Sequence, residues 1–434
     1  MSFDLWIKNY IYAFHLGVQC GIPFTTIYYT SVQFPVKQMM LEEQFLIIKS
    51  STAFSADTAE IHVGRFGGKM NTYYIKGLGG YLRKPYIIHL LLEKMKLRVA
   101  AVQLNSILGN VEENIAKATR MLEQAFTSAA TKPDLIVLPE LALTGYNFKS
   151  PEHIKPFLEI AGSGKSYEFG KTISQRWNCM TLLGYPEKYG KDDYKIYNSA
   201  VLIDQSGQIL QNYRKTHLYD TDKTWGCSES PDGFQAFDLL IRGKQIRTTI
   251  GICMDLNPYE FKAPFEKYEF ATHASQEKCQ LILVPTAWMN SNWDENWTSH
   301  QIASFMKAYE TQGPIVEINT ERNRMKDNAI LHVKKETKLA EDFKLDKVDG
   351  STGRYWIIRL DPLFSNEHPG LKQCVVVCNR SGMEDKLMYG GTSSIFTFYG
   401  GAMKKSEEGV SIDFSIEGSL GQGTEGVLVR DLEI

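Results

Sequence analysis

From Met95 onward the chain repeats one pattern: short, largely apolar runs, several of them hydrophobic on both faces. The runs are KLRVAAVQL, DLIVLPE, MTLLGYP, QIRTTIGIC, QLILVPTAW and QCVVVCN. A strand apolar on both faces cannot border solvent, so sheets built from such strands must be covered by helices or by one another. A layered α/β or α+β sandwich is therefore expected, and α+β is the class taken.

The intervening segments supply the covering layers. After the strand Leu97–Leu104, Asn110 reads as a helix N-cap, and Ile115, Ala118, Leu122, Ala125 and Ala129 fall on one helical stripe. Further helices are expected near 151–160 and 165–177. YNSAVLID and ILQNYR read as a hairpin closed at Ser206-Gly207, and SSIFTFYG and GVLVRDLEI as late strands. Residues 321–370 carry many charges and no period, and read as a variable insertion running over the surface.

Residues 1–94 differ. They are rich in Tyr, Phe and Ile without a sustained period, and the first arginine is Arg65. Neither a transit peptide nor a secretory signal fits. The uncharged run from Tyr10 to Pro35 is interrupted by Gly17, Gly21 and Pro23, so no membrane partner is expected. This stretch is expected to be a poorly ordered or non-native extension, with residues 95–434 forming the functional domain. The formal net charge of −2 offers no broad basic face for nucleic acid. The seven cysteines are scattered without C-x-x-C pairs or zinc-ligand spacing, so free thiols in a reducing compartment and no bound metal are expected.

Three of the runs lead into a reactive side chain: Glu140 after DLIVLP, Lys215 after ILQNYR, and Cys253 after TTIGI. Strand ends of a sandwich can converge on one edge of the fold. A carboxylate, an ammonium and a thiol meeting there suit acyl transfer, with Cys253 as nucleophile and Glu140 as general base. Lys215 and the backbone N–H of Met254 would then face the oxyanion. Singly, each residue has an ordinary explanation as a solvated charge or an inert core thiol. Spacing alone leaves both explanations open.

The blocks LPELALTGYNF, YRKTHLYD and GICMDLNPYEF resemble the three catalytic boxes of the nitrilase, or carbon–nitrogen hydrolase, family. VAAVQLN, LILVPTAW, NRSGMED and GGTSSI support the likeness across about residues 97–434. The resemblance implies an α-β-β-α sandwich, a cysteine thioester mechanism and no cofactor. It also implies a second glutamate positioning the lysine, matched here by Glu229 in CSESPDGF. The long stretches YRKTHLYDTDKTWGC and GICMDLNPYEFKAPFEKYEF are most similar to a fungal branch of the family. That likeness implies deamidation of N-terminal Asn or Gln in proteins or peptides, feeding degradation through the N-degron (N-end rule) pathway. The implied setting is the cytoplasm, with a mitochondrial form and the choice between monomer and homodimer left open. The alternative is an ω-amidase or carbamoyl-amine hydrolase acting on a small metabolite, whose pocket should offer Arg or Lys.

An N-terminal residue carries an α-ammonium that is costly to bring unpaired into a cleft. Asp255, two residues after the nucleophile, is the expected partner, with helix capping as its ordinary role. Tyr146, Asn147 and Trp288 are further candidates for the pocket lining. GSGKS at 162–166 lacks the first glycine of a phosphate loop, and GQGTEG at 421–426 has no helix after it, so neither signals a nucleotide site.

Overall fold

The computed structural model describes residues 96–434 except 129–130, 294–295, 297–306, 308–313, 319–343, 366, 402–403, 407–408 and 412–413. Of the first 95 residues it describes five strands alone. Met1–Met95 and Lys96–Ile434 are separate compact units. In the first, Thr26–Ser31, Pro35–Leu41, Gln44–Lys49, Thr58–Arg65 and Asn71–Lys76 pair as an antiparallel meander in chain order. The sequence shows no sustained period here, yet these short segments carry the β-branched and aromatic residues that favour strands. The remainder of the expectation for 1–94 lies outside the described residues.

The second unit is built on two large sheets. The seven-stranded sheet runs in the order Ile209–Arg214, Lys195–Ile203, Met180–Tyr189, Leu135–Val137, Lys96–Gln103, Gly426–Glu433, Ile315–Ile318. The six-stranded sheet runs Ala236–Ile241, Lys244–Ile250, Leu281–Thr286, Lys372–Asn379, Ser394–Tyr399, Phe414–Ser419. The sheets face each other through fully buried residues; the Cys378 sulfur lies 3.1 Å from the Val137 carbonyl and 3.4 Å from that of Val102.

Helices close the outer faces. Val111–Ala125 starts at Asn110, whose side chain accepts from the Glu113 N–H, and buries Ala118, Met121, Leu122 and Ala125. It shares one apolar core with Phe169, Ile173 and Trp177 of the helix Lys165–Trp177 and with the seven-stranded sheet. On the other side Glu269–Gln276 and Gly350–Arg359 pack on the six-stranded sheet through Phe270, Ala274, Trp356 and Ile357. The layers are α-β-β-α, as expected.

The expectation of a surface insertion at 321–370 needs correction over part of its length. Residues 319–343 lie outside the described set, but Gly350–Arg359 and the turn Asp361–Phe364 bury Trp356, Leu360, Leu363 and Phe364 in the core. Charged residues between these apolar positions conceal their helical spacing from a composition reading.

Strand direction places the site. Leu135–Val137 is parallel to Lys96–Gln103 and to Met180–Tyr189. Met180–Tyr189 pairs antiparallel with Lys195–Ile203, which pairs antiparallel with Ile209–Arg214, so Ile209–Arg214 runs with the parallel set. In the second sheet Lys244–Ile250, Leu281–Thr286 and Lys372–Asn379 are mutually parallel. Glu140, Lys215, Cys253 and Ala287 therefore all follow the carboxyl ends of strands.

Candidate active site

Glu140 leaves its strand through a tight turn. Leu141 takes a positive φ of 44°, and the turn passes so close to Gly184 that a Cβ there would stand 2.7 Å from the Glu140 Cα. Only glycine permits that approach. The Glu140 carboxylate is fully buried: Oε1 accepts from Lys215 Nζ at 2.6 Å and Asn198 Nδ2 at 2.7 Å, and Oε2 from the Ala287 N–H at 2.8 Å. A carboxylate has about four acceptor positions. Three are engaged by the protein, which leaves room for one proton donor.

Lys215, equally buried, also donates to Asp222 Oδ2 at 2.7 Å, and its ammonium stands 5.6 Å from the centre of the Tyr146 ring. Asn198 ties the carboxylates together, donating to Asp222 Oδ1 at 2.9 Å as well as to Glu140. Burial alone would depress the lysine's proton affinity, but Asp222, Glu140 and the Cys253 sulfur outweigh it and hold the ammonium well above its usual range.

Cys253 sits where the strand Lys244–Ile250 gives way to a single 3-10 turn, Cys253–Leu256, and has φ of +43°. A left-handed conformation costs an L-residue roughly 1–2 kcal/mol and is tolerated where surrounding structure enforces it. Here Asp255 enforces it by accepting from the Ile252 N–H at 2.7 Å. Burial and the Glu140 charge push the Cys253 thiol well above its usual range, opposed by Lys215 and the Ala287 N–H. The physical reason is charge: two carboxylates and one ammonium already leave this corner one unit negative, so a thiolate would add a second. Burial likewise raises Glu140, with Lys215 opposing. The resting arrangement is a neutral thiol beside a carboxylate of enhanced basicity.

Cys253 opens into a cavity of about 490 Å³ lined by Tyr146, Met254, Trp288, Tyr355 and Tyr389 among others, with hydroxyls and amides from Thr221, Asn257, Asn290, Ser291 and Thr352. No Asp, Glu, Arg or Lys lines it among the described residues. Met254, in the first turn after Cys253, has its N–H among the groups a helical start leaves without internal acceptors.

Of the candidates read from sequence, Glu140, Lys215 and Cys253 come together, and Met254, Tyr146 and Trp288 line the same cavity. Three others are placed differently. Glu229 is exposed and accepts from the Tyr259 hydroxyl at 2.9 Å; the acid on Lys215 is Asp222. The short helix Asp220–Thr224 makes the difference by folding Asp222 back onto the lysine, while Glu229 lies beyond it. Asp255 does not face the cavity: it takes the Tyr213 hydroxyl and the N–H groups of Thr216, His217 and Ile252, and so clamps the Lys215 segment to the nucleophile turn. With four donors satisfied it has nothing left for a ligand. Asn147 is not a lining residue either; its N–H goes to Glu384 and its side chain to Asp385. Asp222 was legible in principle, seven residues after Lys215 within YRKTHLYDTDK, whereas Asn198 sits inside a strand with no motif around it.

Residues 98–257 match the carbon–nitrogen hydrolase family model. The chain is similar to the protein N-terminal amidase of Schizosaccharomyces pombe, 31% identical over 325 residues that cover 73% of this chain and 98% of that one. It is also similar to the Saccharomyces cerevisiae protein N-terminal amidase, 29% identical over 438 residues, covering 78% and 95%. A crystal structure of an N-terminal amidase with an Asn-Glu peptide superposes with a TM-score of 0.67 at 28% identity, covering 78% of this chain and 98% of that one. One with a Gln-Val peptide gives the same TM-score at 29% identity and 78% coverage of this chain. A likeness that spans almost the whole of a relative, over a fold that gathers the same three boxes at one cavity, settles the family: the chain belongs to the carbon–nitrogen hydrolases.

Proposed function

We propose that the protein is an amidohydrolase that removes the side-chain amide of an N-terminal Asn or Gln, yielding Asp or Glu and ammonia. The observation that carries this reading is the buried Glu140–Lys215 pair beside Cys253, at the base of a cavity in a chain similar to N-terminal amidases along most of its length. The peptide complexes of the related structures support peptide N-termini as substrate.

The chemistry follows from the charges. Cys253 attacks the amide carbon as its proton passes to Glu140, so the corner becomes neutral while the oxyanion takes up the negative charge. Lys215 and the Met254 N–H face that oxygen, where a fixed donor contributes most. Glu140 returns the proton to the departing nitrogen, ammonia leaves, and a thioester remains on Cys253. Water then gives its proton to Glu140 and attacks the thioester; the carbon–sulfur bond breaks, Glu140 returns the proton to the Cys253 sulfur, and the acid leaves. Asp222 and Asn198 keep the lysine charged and aimed throughout.

A metabolite amidase that binds a substrate carboxylate calls for a cation in the pocket, and the described lining has none. The new acidic N-terminus suits a role upstream of N-degron recognition. A cytoplasmic setting, with a mitochondrial form left open, is part of the proposal. Ammonia release from a peptide with N-terminal Asn tests the reading; turnover of small free amides with none of the peptide would reject it.

A further inference from the structure

A substrate N-terminus brings a positive charge into a cavity whose described lining carries no charged side chain, and Asp255 is fully engaged elsewhere. Among the described residues five buried carboxylates surround the site, and their partners separate them. Glu140 and Asp222 are paired with Lys215, Glu384 with Arg380, and Asp255 is held by backbone N–H groups and Tyr213. The fifth, Asp349, has no cationic partner among the described residues and is only 4% exposed.

Its hydrogen bonds run to the cavity wall. Asp349 Oδ1 accepts from the Ser291 hydroxyl at 2.7 Å, and Oδ2 from the Thr352 hydroxyl at 2.8 Å; the N–H groups of Ser291 and Thr352 complete the set at 2.7 and 3.2 Å. Ser291 and Thr352 both line the cavity that holds Cys253. A hydroxyl whose proton is committed to a carboxylate has only lone pairs left to offer. Two such oxygens, backed by a buried negative charge, form an acceptor surface for a cation. The Asp349 position as N-cap of Gly350–Arg359 offsets part of its charge through the helix start, but does not turn the hydroxyls round.

We propose that Asp349, acting through Ser291 and Thr352, holds the α-ammonium of the substrate and so restricts the enzyme to chain N-termini. This rests on the N-terminal amidase reading and names the group that would enforce it. Asp349 is a positioning residue; the two hydroxyls make the contact.

The test compares kcat/KM, by ammonia release, for a peptide with N-terminal Asn and for the same peptide with its α-amino group replaced by hydrogen. Wild type should favour the amino peptide by about ten- to a hundredfold, the range of a hydrogen bond to a charged group. Asp349→Asn keeps a capping acceptor but loses the charge, and the ratio should fall toward one, chiefly through KM for the amino peptide. Ser291→Ala, at an exposed position that spares the core, should lower the same ratio by a smaller factor. A wild-type ratio in either variant, or equal losses on both peptides, overturns the inference and leaves the amidase reading standing. No ammonia from either peptide with the wild-type chain overturns that reading and the inference with it.

Discussion

The two sheets contribute unlike things to one cavity. The seven-stranded sheet supplies charge: Glu140 and Lys215 follow its strands, and Asn198 within it fixes both Glu140 and Asp222. These groups are buried, paired and nearly saturated with hydrogen bonds. The six-stranded sheet supplies the thiol, on a backbone turned into the left-handed region, and much of the neutral wall, including Trp288. One side thus keeps a fixed electrostatic field, while the other holds a strained nucleophile close to it. The arrangement separates roles that would conflict on one element, because a rigid buried ion pair needs its neighbours immobile and a nucleophile needs access to the substrate.

The largest effects should expose that division. Cys253→Ser should abolish turnover, since a serine hydroxyl in this negative corner is a far weaker nucleophile, while thermal stability stays close to wild type. Lys215→Ala should lower kcat/KM by about a hundredfold or more through loss of an oxyanion donor. It should also destabilise the fold by roughly 3–5 kcal/mol, because Glu140 and Asp222 are then left buried without a counter-charge. Ammonia release and denaturant titration measure the two quantities. Equal stability losses in the two variants would break the contrast between the sheets.

The pH profile sharpens it. Burial raises Glu140 above the ordinary 4.5, and burial together with Glu140 raises Cys253 well above the ordinary 9.0. Activity needs Glu140 ionised and the thiol protonated at rest, so kcat/KM should fall about tenfold per pH unit below the Glu140 midpoint, which lies above 4.5. For the peptide lacking the α-amino group it should stay flat from neutrality toward pH 9, since no thiolate accumulates there; an ordinary N-terminus loses its ammonium charge near about pH 8, and its rate should fall with it. The stability contribution has the opposite sign. An acid whose folded value is raised adds stability below its unfolded value, and that contribution is lost as pH rises through the folded value. A rate that climbed steadily through pH 8 to 9 would mean that a free thiolate, rather than base-assisted attack, does the chemistry.

Much of this was legible in the sequence, because runs apolar on both faces admit only a covered sandwich, and because Glu140, Lys215 and Cys253 each stand at a strand end. Three kinds of information were not. The core helix Gly350–Arg359 hides among charged residues, since burial depends on which face of the helix meets the sheet. Asp255 stands two residues after the nucleophile in sequence, yet its side chain points back to the Lys215 segment, and direction across a turn is not encoded by proximity. Asp349 gains meaning only once Ser291 and Thr352, far apart along the chain, share its carboxylate.

The finest test sets Asp222 against Glu229. Both are acids in the segment following Lys215, and spacing alone does not choose between them. Asp222 is fully buried and touches Lys215 Nζ, Asn198 and the Tyr219 N–H, whereas Glu229 is exposed with the Tyr259 hydroxyl on it. In Asp222→Asn the lysine loses one of two counter-charges and Asn198 loses a carboxylate acceptor. The ammonium is then held less firmly toward the oxyanion, and kcat should drop about tenfold, the scale of one charge-assisted hydrogen bond, with KM little changed. Glu229→Gln keeps an acceptor for Tyr259 and alters only a solvated charge, so kcat should stay within about twofold of wild type. Steady-state kinetics on one Asn peptide decides the matter. If Glu229→Gln proved the more damaging substitution, the lysine would be positioned from the cavity rim, and the self-contained charge cluster of the seven-stranded sheet would be the wrong description.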